Sequence, residues 1–172
     1  MRGQAAGWRM GVLALVTVSV LAGCSSLAGV GGSSFGSNAL KPTEVANLGS
    51  YDAPTALREA KAHFRNADYG YSATLYQRVV ELDPKNQQGY VGLGASYDRL
   101  GRFDLSDRVY AALFQISGGT AQYYNNVGYS YMLRGNLTAA LTNFRKARTL
   151  DPNNTIVANN IQLLSNAAAS RA

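Results

Sequence analysis

The sequence predicts an all-α chain: three helix–turn–helix repeats and a C-terminal capping helix, stacked as a solenoid behind a cleaved signal and a flexible linker. Three observations predict it. The motif Leu-Asp-Pro recurs at Leu82-Asp83-Pro84 and Leu150-Asp151-Pro152, 68 residues apart, twice 34. Glycines and aromatics keep the single 34-residue step: Gly94 and Gly128, Gly101 and Gly135, Tyr90 and Tyr124, Tyr97 and Tyr131, and the series Tyr76, Tyr110, Phe144. Ahead of the repeats stand an apolar run and a Gly/Ser tract.

The apolar run comes first. Residues 1–9 carry Arg2 and Arg9 and no acid, and residues 10–22 form a run of 13 interrupted only by Thr17 and Ser19. A helix that crosses about 30 Å of hydrocarbon needs about 20 apolar residues, so the run is too short to span a bilayer. A charged start, a short apolar core and small residues after it describe a secretory signal peptide over residues 1–23.

Leu21-Ala22-Gly23-Cys24 closes that signal with the only cysteine of the chain. The tetrapeptide resembles the lipobox of bacterial lipoproteins. The resemblance implies a diacylglycerol on the Cys24 sulfur, cleavage before Cys24 and an N-acyl lipid on the new amine, with no other cofactor. The physics suits an anchor: one acyl chain binds a membrane marginally, at about 0.8 kcal/mol per buried methylene, and two or more hold stably. Ser25 stands after the cysteine where an Asp would retain an enterobacterial lipoprotein at the inner membrane. By that resemblance the address is the outer membrane, with the chain facing the periplasm.

Residues 24–51 form the lipidated N-terminus and linker. From Ser25 to Ser37, nine of 13 residues are Gly or Ser, and such a tract behaves as a flexible coil. Order is expected to begin near Asp52, with the repeat domain over 52–172.

The repeats run 53–86, 87–120 and 121–154. Counting each from its first residue, position 8 is Ala60, Gly94 and Gly128, position 15 is Ala67, Gly101 and Gly135, and position 20 is Ser72, Ser106 and Ala140. Positions 4, 7, 8 and 11 share one helix face, since i, i+3, i+4 and i+7 align. Small residues at 8 and 20 let paired helices approach, and aromatics fill the space beside them. Seven of the eleven tyrosines sit at positions 4, 11, 17 or 24, where packing explains them better than binding does. His63, at position 11, reads as structural for the same reason. A 34-residue period with this pattern resembles the tetratricopeptide repeat (TPR), a helix–turn–helix unit.

Repeat two departs from the pattern. Its Ser117-Gly118-Gly119 replaces the Asp-Pro of the other two, and proline fixes a helix end where glycine does not. Residues 155–168 read as one more amphipathic helix, whose apolar face covers the last repeat and whose polar face ends the stack. Three repeats and a cap meet what a solenoid needs for stability.

Composition excludes other classes. Charged residues make up 15% of the chain, and without Arg2 and Arg9 the count is 14 basic against 10 acidic residues, or +4. That balance makes no demand for nucleic acid. One Cys excludes an internal disulfide framework and a Cys-rich zinc site, the single His63 narrows metal ligation and general base catalysis, and no Ser-His-acid set is found. Gly92-Leu93-Gly94 lies within a helix and is no phosphate loop. Asp98, Asp104 and Asp107 match no calcium loop and are expected to face solvent. The reading is of a binder without metal, catalytic residue or small-molecule substrate.

The TPR resemblance implies where binding occurs. Positions 2, 5, 9, 12 and 13 of the first helices face a groove, here Leu57, Lys61, Phe64 and Arg65, then Gln88, Val91, Ala95, Asp98 and Arg99, then Gln122, Asn125, Tyr129 and Met132. Asn126, at position 6, resembles the Asn that hydrogen-bonds ligand backbone in several TPR complexes. The strip mixes apolar and amide residues with few cations and lacks the set that clamps a C-terminal carboxylate. An extended or helical protein segment is the expected ligand.

The block Tyr124-Asn125-Asn126-Val127-Gly128-Tyr129-Ser130-Tyr131-Met132-Leu133-Arg134-Gly135-Asn136, with Leu150-Asp151-Pro152-Asn153-Asn154 and Ala158-Asn159-Asn160, resembles the TadD-type lipoproteins of Tad/Flp pilus assembly. The resemblance implies a lipid-anchored scaffold that assists the outer-membrane secretin or another pilus assembly component by binding it. Two alternatives fit the same architecture: a pilotin-like lipoprotein of type IV pili, and a TPR adaptor that recruits envelope peptidases or cell-wall enzymes.

Overall fold

The computed structural model describes residues 44–169. The signal peptide, Cys24 and its lipid, and the linker as far as residue 43 lie outside the described residues. Seven α-helices follow one another: α1 (Ala53–Arg65), α2 (Tyr69–Leu82), α3 (Gln87–Arg99), α4 (Phe103–Ser117), α5 (Ala121–Leu133), α6 (Leu137–Leu150) and α7 (Thr155–Ala169). A short 3-10 turn, Leu48–Ser50, precedes them, and no strand occurs among the described residues. The fold is the expected all-α TPR solenoid of three helix pairs and a cap.

The first helices start where they do because a capping side chain recurs at the same 34-residue step. Asp52 accepts from Thr55 N at 2.9 Å, Asn86 from Gly89 N at 3.0 Å, Thr120 from Tyr123 N at 3.1 Å and Asn154 from Val157 N at 3.2 Å. Each cap satisfies an N–H that the helix leaves unpaired and contributes about 1 kcal/mol. Two of these caps are themselves held: Asn86 Nδ2 donates to Asp83 Oδ2 at 3.0 Å, and Asn154 Nδ2 to Asp151 Oδ2 at 2.8 Å. The Asp-Pro-x-Asn turn is therefore a clasp that ends one repeat and starts the next.

Within each repeat the first helix ends at position 15 with a left-handed residue. Ala67, Gly101 and Gly135 have φ of 62°, 71° and 78°, and the N–H of the next residue bonds back to the carbonyl of His63, Tyr97 or Tyr131 at 2.8–2.9 Å. Only glycine adopts that φ without steric cost. Repeat one carries the strain with an alanine.

The small residues expected at helix crossings are filled against aromatics. A Cβ placed on Gly94 would lie 2.7 Å from the Tyr110 ring, one on Gly128 2.7 Å from Phe144, and one on Gly92 2.1 Å from Tyr76. The aromatic at position 24 of each second helix thus abuts a glycine of its own or the following first helix. Ala60, Ala73, Leu75, Tyr76 and Leu93 form one core cluster, and Ala140, Phe144 and Leu164 another.

Helices pack in sequence order, and in addition α1 touches α3, α3 touches α5, and α5 touches α7. The second helices make no comparable contact with one another. A stack whose first helices are the closer set must curve with those helices on its inner side, and that inner layer carries the groove.

Two expectations change. Order begins before Asp52: Val45, Leu48 and Tyr51 pack on the first core cluster, and Arg78 donates to the Gly49 carbonyl at 3.3 Å. Residues 45–51 thus cover one side of the first repeat. At the other end the cap is not polar on every outward face, since Ile156 is 63% and Leu163 52% exposed.

Candidate functional site: the inner layer of first helices

The groove residues expected from the sequence divide into two sets. Lys61, Gln88, Val91 and Gln122 line a shallow cavity of about 700 Å³ toward the N-terminal end of the first helices. Ala95, Arg99, Asn125, Asn126 and Tyr129 line a smaller pocket of about 240 Å³ between α3 and α5, together with Phe64, Asp98 and Tyr110. Arg65 is exposed and lines neither cavity. Met132 also lines neither: it is half-buried against the Ala140–Phe144–Leu164 cluster, as Tyr129 is on its inner edge.

Hydrogen bonds set the polar members in place. Lys61 Nζ donates to Gln88 Oε1 at 2.6 Å, joining α1 to α3. Arg99 donates to the Tyr69 hydroxyl at 2.7 Å, and its guanidinium lies 4.9 Å from that ring centroid. Asn160 Nδ2 of α7 donates to Asn125 Oδ1 at 2.8 Å. Asn126 differs from these. Its Nδ2 is buried with no hydrogen-bond partner among the described residues, and it lines the pocket. A buried amide donor left unpaired costs about 1–3 kcal/mol.

Asp98 overturns its sequence reading. It was expected to face solvent, yet it is 4% exposed and forms the pocket floor. Tyr110 donates to its Oδ2 at 2.8 Å and Ser130 to its Oδ1 at 2.6 Å. Burial raises its carboxyl above the usual 3.8, against the lowering effect of hydrogen bonds from Ser106, Ser130 and Tyr110 and of the Arg134 charge. The same environment, with the Asp98 charge beside it, drives the Tyr110 hydroxyl well above its usual value. Asp104 and Asp107 are exposed as expected, paired with Arg102 and Arg134.

Tyr110 is the pocket residue that the groove positions did not include, because it comes from a second helix. Its signal was present in the chain: Gly94 at position 8 removes the side chain that would otherwise screen position 24 from the inner layer. His63 takes the structural place expected, stacked on Tyr71 at 5.2 Å and 3.3 Å from Asp68 Oδ2.

The tetratricopeptide repeat family matches residues 121–154, the third repeat. Among solved structures the chain resembles the first TPR domain of human RPAP3, with a TM-score of 0.60, 20% identity, and 69% of this chain and 93% of that one covered. It also resembles the first TPR of Spaghetti (RPAP3) bound to an HSP90 peptide, with a TM-score of 0.58, 20% identity and coverages of 68% and 93%. The Yersinia enterocolitica type III secretion chaperone SycD, in complex with a peptide of the translocator YopD, matches with a TM-score of 0.56, 18% identity and coverages of 66% and 86%. These likenesses are of fold. No curated protein matches the sequence.

Proposed function

From a TPR solenoid whose inner layer holds a half-open pocket, we propose that this chain binds a protein segment along its first helices, as a lipid-anchored scaffold of the bacterial envelope. The observation that carries the binding role is Asn126: a buried amide donor with no partner, in a pocket walled by Ala95, Arg99 and Tyr129. Turned toward the pocket, that amide would donate to a backbone carbonyl of a bound segment. The solved relatives in fold include two held with peptides, which supports a peptide-sized occupant.

The anchor and the process rest on the sequence. Cys24 after its apolar run supplies a diacylglycerol and N-acyl attachment, and Ser25 directs it to the outer membrane, facing the periplasm. With the TadD-type blocks, the reading is assistance to Tad/Flp pilus biogenesis and its secretin, by binding without catalysis.

Three measurements test this. A photocrosslinking residue in place of Tyr129, in the source cells, should capture a secretin or another pilus assembly component. Cys24→Ala should release the protein from the membrane fraction. Deletion should remove surface pili or secretin multimers, and a deletion strain with both intact sinks the pilus reading.

A further inference from the structure

Helix α7 packs on α5 as α5 packs on α3, and the two ends of this row of helices differ in chemistry. Numbered as a fourth repeat, α7 places Ile156, Asn159, Leu163 and Asn166 at positions 2, 5, 9 and 12, the strip that faces the groove in α3 and α5. Positions 4, 8 and 11, which would meet a further second helix, are Ala158, Gln162 and Ser165, small or polar and exposed. A helix that served only to end the stack would be polar on both outward faces. This one is small or polar where the solenoid stops, and on the strip shared with α5 it exposes two large apolar side chains between two asparagines. On the same strip Leu133 of α5, at position 13, is 39% exposed, and Ile156 and Leu163 of α7 are 63% and 52% exposed. The Asn160–Asn125 bond ties α7 to the same strip of α5.

Charge divides the other way. Lys61, Arg65 and Arg99 are exposed on α1 and α3, and none pairs with a carboxylate among the described residues. Asp98, the acidic residue of this strip, is buried and already accepts from Tyr110 and Ser130. Helices α5 and α7 contain no charged residue. The strip thus runs from the cations Lys61, Arg65 and Arg99, with Lys85 and the single carboxylate of Asp83 at the edge of the first cavity, to an uncharged surface where Tyr129, Leu133, Ile156 and Leu163 stand among amides.

We propose that the segment bound here is correspondingly two-sided, with an acidic stretch over α1 and α3 and an uncharged apolar stretch over α5 and α7, so that α7 is a wall of the groove. This deepens the groove reading above and rests on it. Charge complementarity selects the acidic stretch, and continuity of the strip selects the apolar one. Four first helices at spacings of about 8–10 Å span about 24–30 Å, the length of a helix of about 16–20 residues.

The test uses the purified full chain in detergent and three fluorescent 20-residue peptides. One has an acidic half and a Leu/Ala half, the second interleaves the same residues, and the third replaces the acids of the first with lysines. The block peptide should bind at least tenfold more tightly than its interleaved isomer. The double variant Ile156→Ser/Leu163→Ser should lose about tenfold for the block peptide with unchanged helical content, since both side chains are exposed. Lys61→Glu/Arg65→Glu should reverse the preference toward the lysine peptide. Comparing variants in one detergent cancels micelle partition. Equal binding of the two isomers, or unchanged binding by the Ile156/Leu163 variant, overturns the proposal. Photocrosslinkers separate the two levels: capture of the block peptide from position 129 but not 163 leaves the groove and removes the two-sided ligand. Silence at both positions with every peptide removes the groove itself.

Discussion

The Asp98 carboxylate in α3 accepts a hydrogen bond from the Ser130 hydroxyl in α5 at 2.6 Å, inside the protein. Arg134 extends the link: it donates to Ser130 Oγ at 2.7 Å and clasps both oxygens of Asp107 in α4 at 2.8 and 2.9 Å. This chain of polar contacts crosses the one junction between repeats that lacks an Asp-Pro-x-Asn clasp. Where the turn holds less, side chains hold more.

Asp98→Ala should be among the most damaging single changes in the chain. It strips the acceptor from two buried hydroxyls, Tyr110 and Ser130, and frees Arg134 of a nearby charge. Removing one partner of such a buried set costs about 3 kcal/mol. Urea denaturation should show the midpoint fall, and Asp98→Asn, which keeps one acceptor oxygen, should recover part of the loss.

The pH dependence of Asp98 runs opposite to that of the capping and surface acids. Its folded carboxyl titrates above 3.8 because burial opposes its charge. Between 3.8 and that raised value the native state holds a proton that the unfolded state has released, so stability from this group grows as pH falls through the window and is lost as pH rises. Asp52 and Asp104 are lowered, the first by its bond from Thr55 and the second by Arg102. Their contribution is present above 3.8 and is lost as pH falls through their depressed values. Subtracting the stability profile of Asp98→Asn from that of the wild type should leave a difference that rises toward acid. A difference that falls toward acid would count against the buried-carboxylate account.

The second junction should open first. Gly118 takes φ 66°, the Ser117 hydroxyl is spent on its own helix at the Leu113 carbonyl, and α4 packs against α5 less extensively than α2 against α3. Limited proteolysis should cut near Ser117–Thr120 before either Asp-Pro junction. Arg134→Gln should hasten that cut by removing the clasp on Asp107. Initial cleavage at residues 83–86 or 151–154 would contradict the assignment.

Ala67→Gly should stabilise the protein. Alanine at φ 62° occupies the turn that Gly101 and Gly135 occupy in the other repeats, and relief of the left-handed cost is about 1 kcal/mol. The reverse change, Gly101→Ala, should cost a similar amount in the same denaturation assay.

Gly92→Ala should destabilise by about 1–3 kcal/mol. The new methyl would stand 2.1 Å from the Tyr76 ring, so that ring, buried in the first core cluster, must shift to admit it. An unchanged melting temperature would mean the ring can swing outward.

Most of the fold was legible because the repeat states it more than once. A glycine at 94 and again at 128, with aromatics at 76, 110 and 144, marks a crossing that one occurrence would not. The caps at 52, 86, 120 and 154 carry the same period in mixed residue types, Asp, Asn, Thr and Asn, so chemistry rather than identity repeats there. The groove was legible as a strip, since helical periodicity decides which side chains share a face. Its floor was not. Position 12 puts Asp98 on the groove strip, but its burial depends on Tyr110 and Ser130 from other helices, and Asp104 and Asp107 do face solvent.

The sequence by itself determined the period, the helix pairs, the small-against-aromatic crossings and the candidate anchor at Cys24, because each depends on residues close along the chain or on an interval that recurs. Only the tertiary structure decided that Asp98 is buried, that Tyr110 reaches the pocket past Gly94, and that Ile156 and Leu163 stay exposed on α7. Those outcomes depend on which helix lies against which across gaps of 12 residues or more. Local periodicity specifies the face a side chain occupies, but what stands opposite that face is set only when the repeats stack.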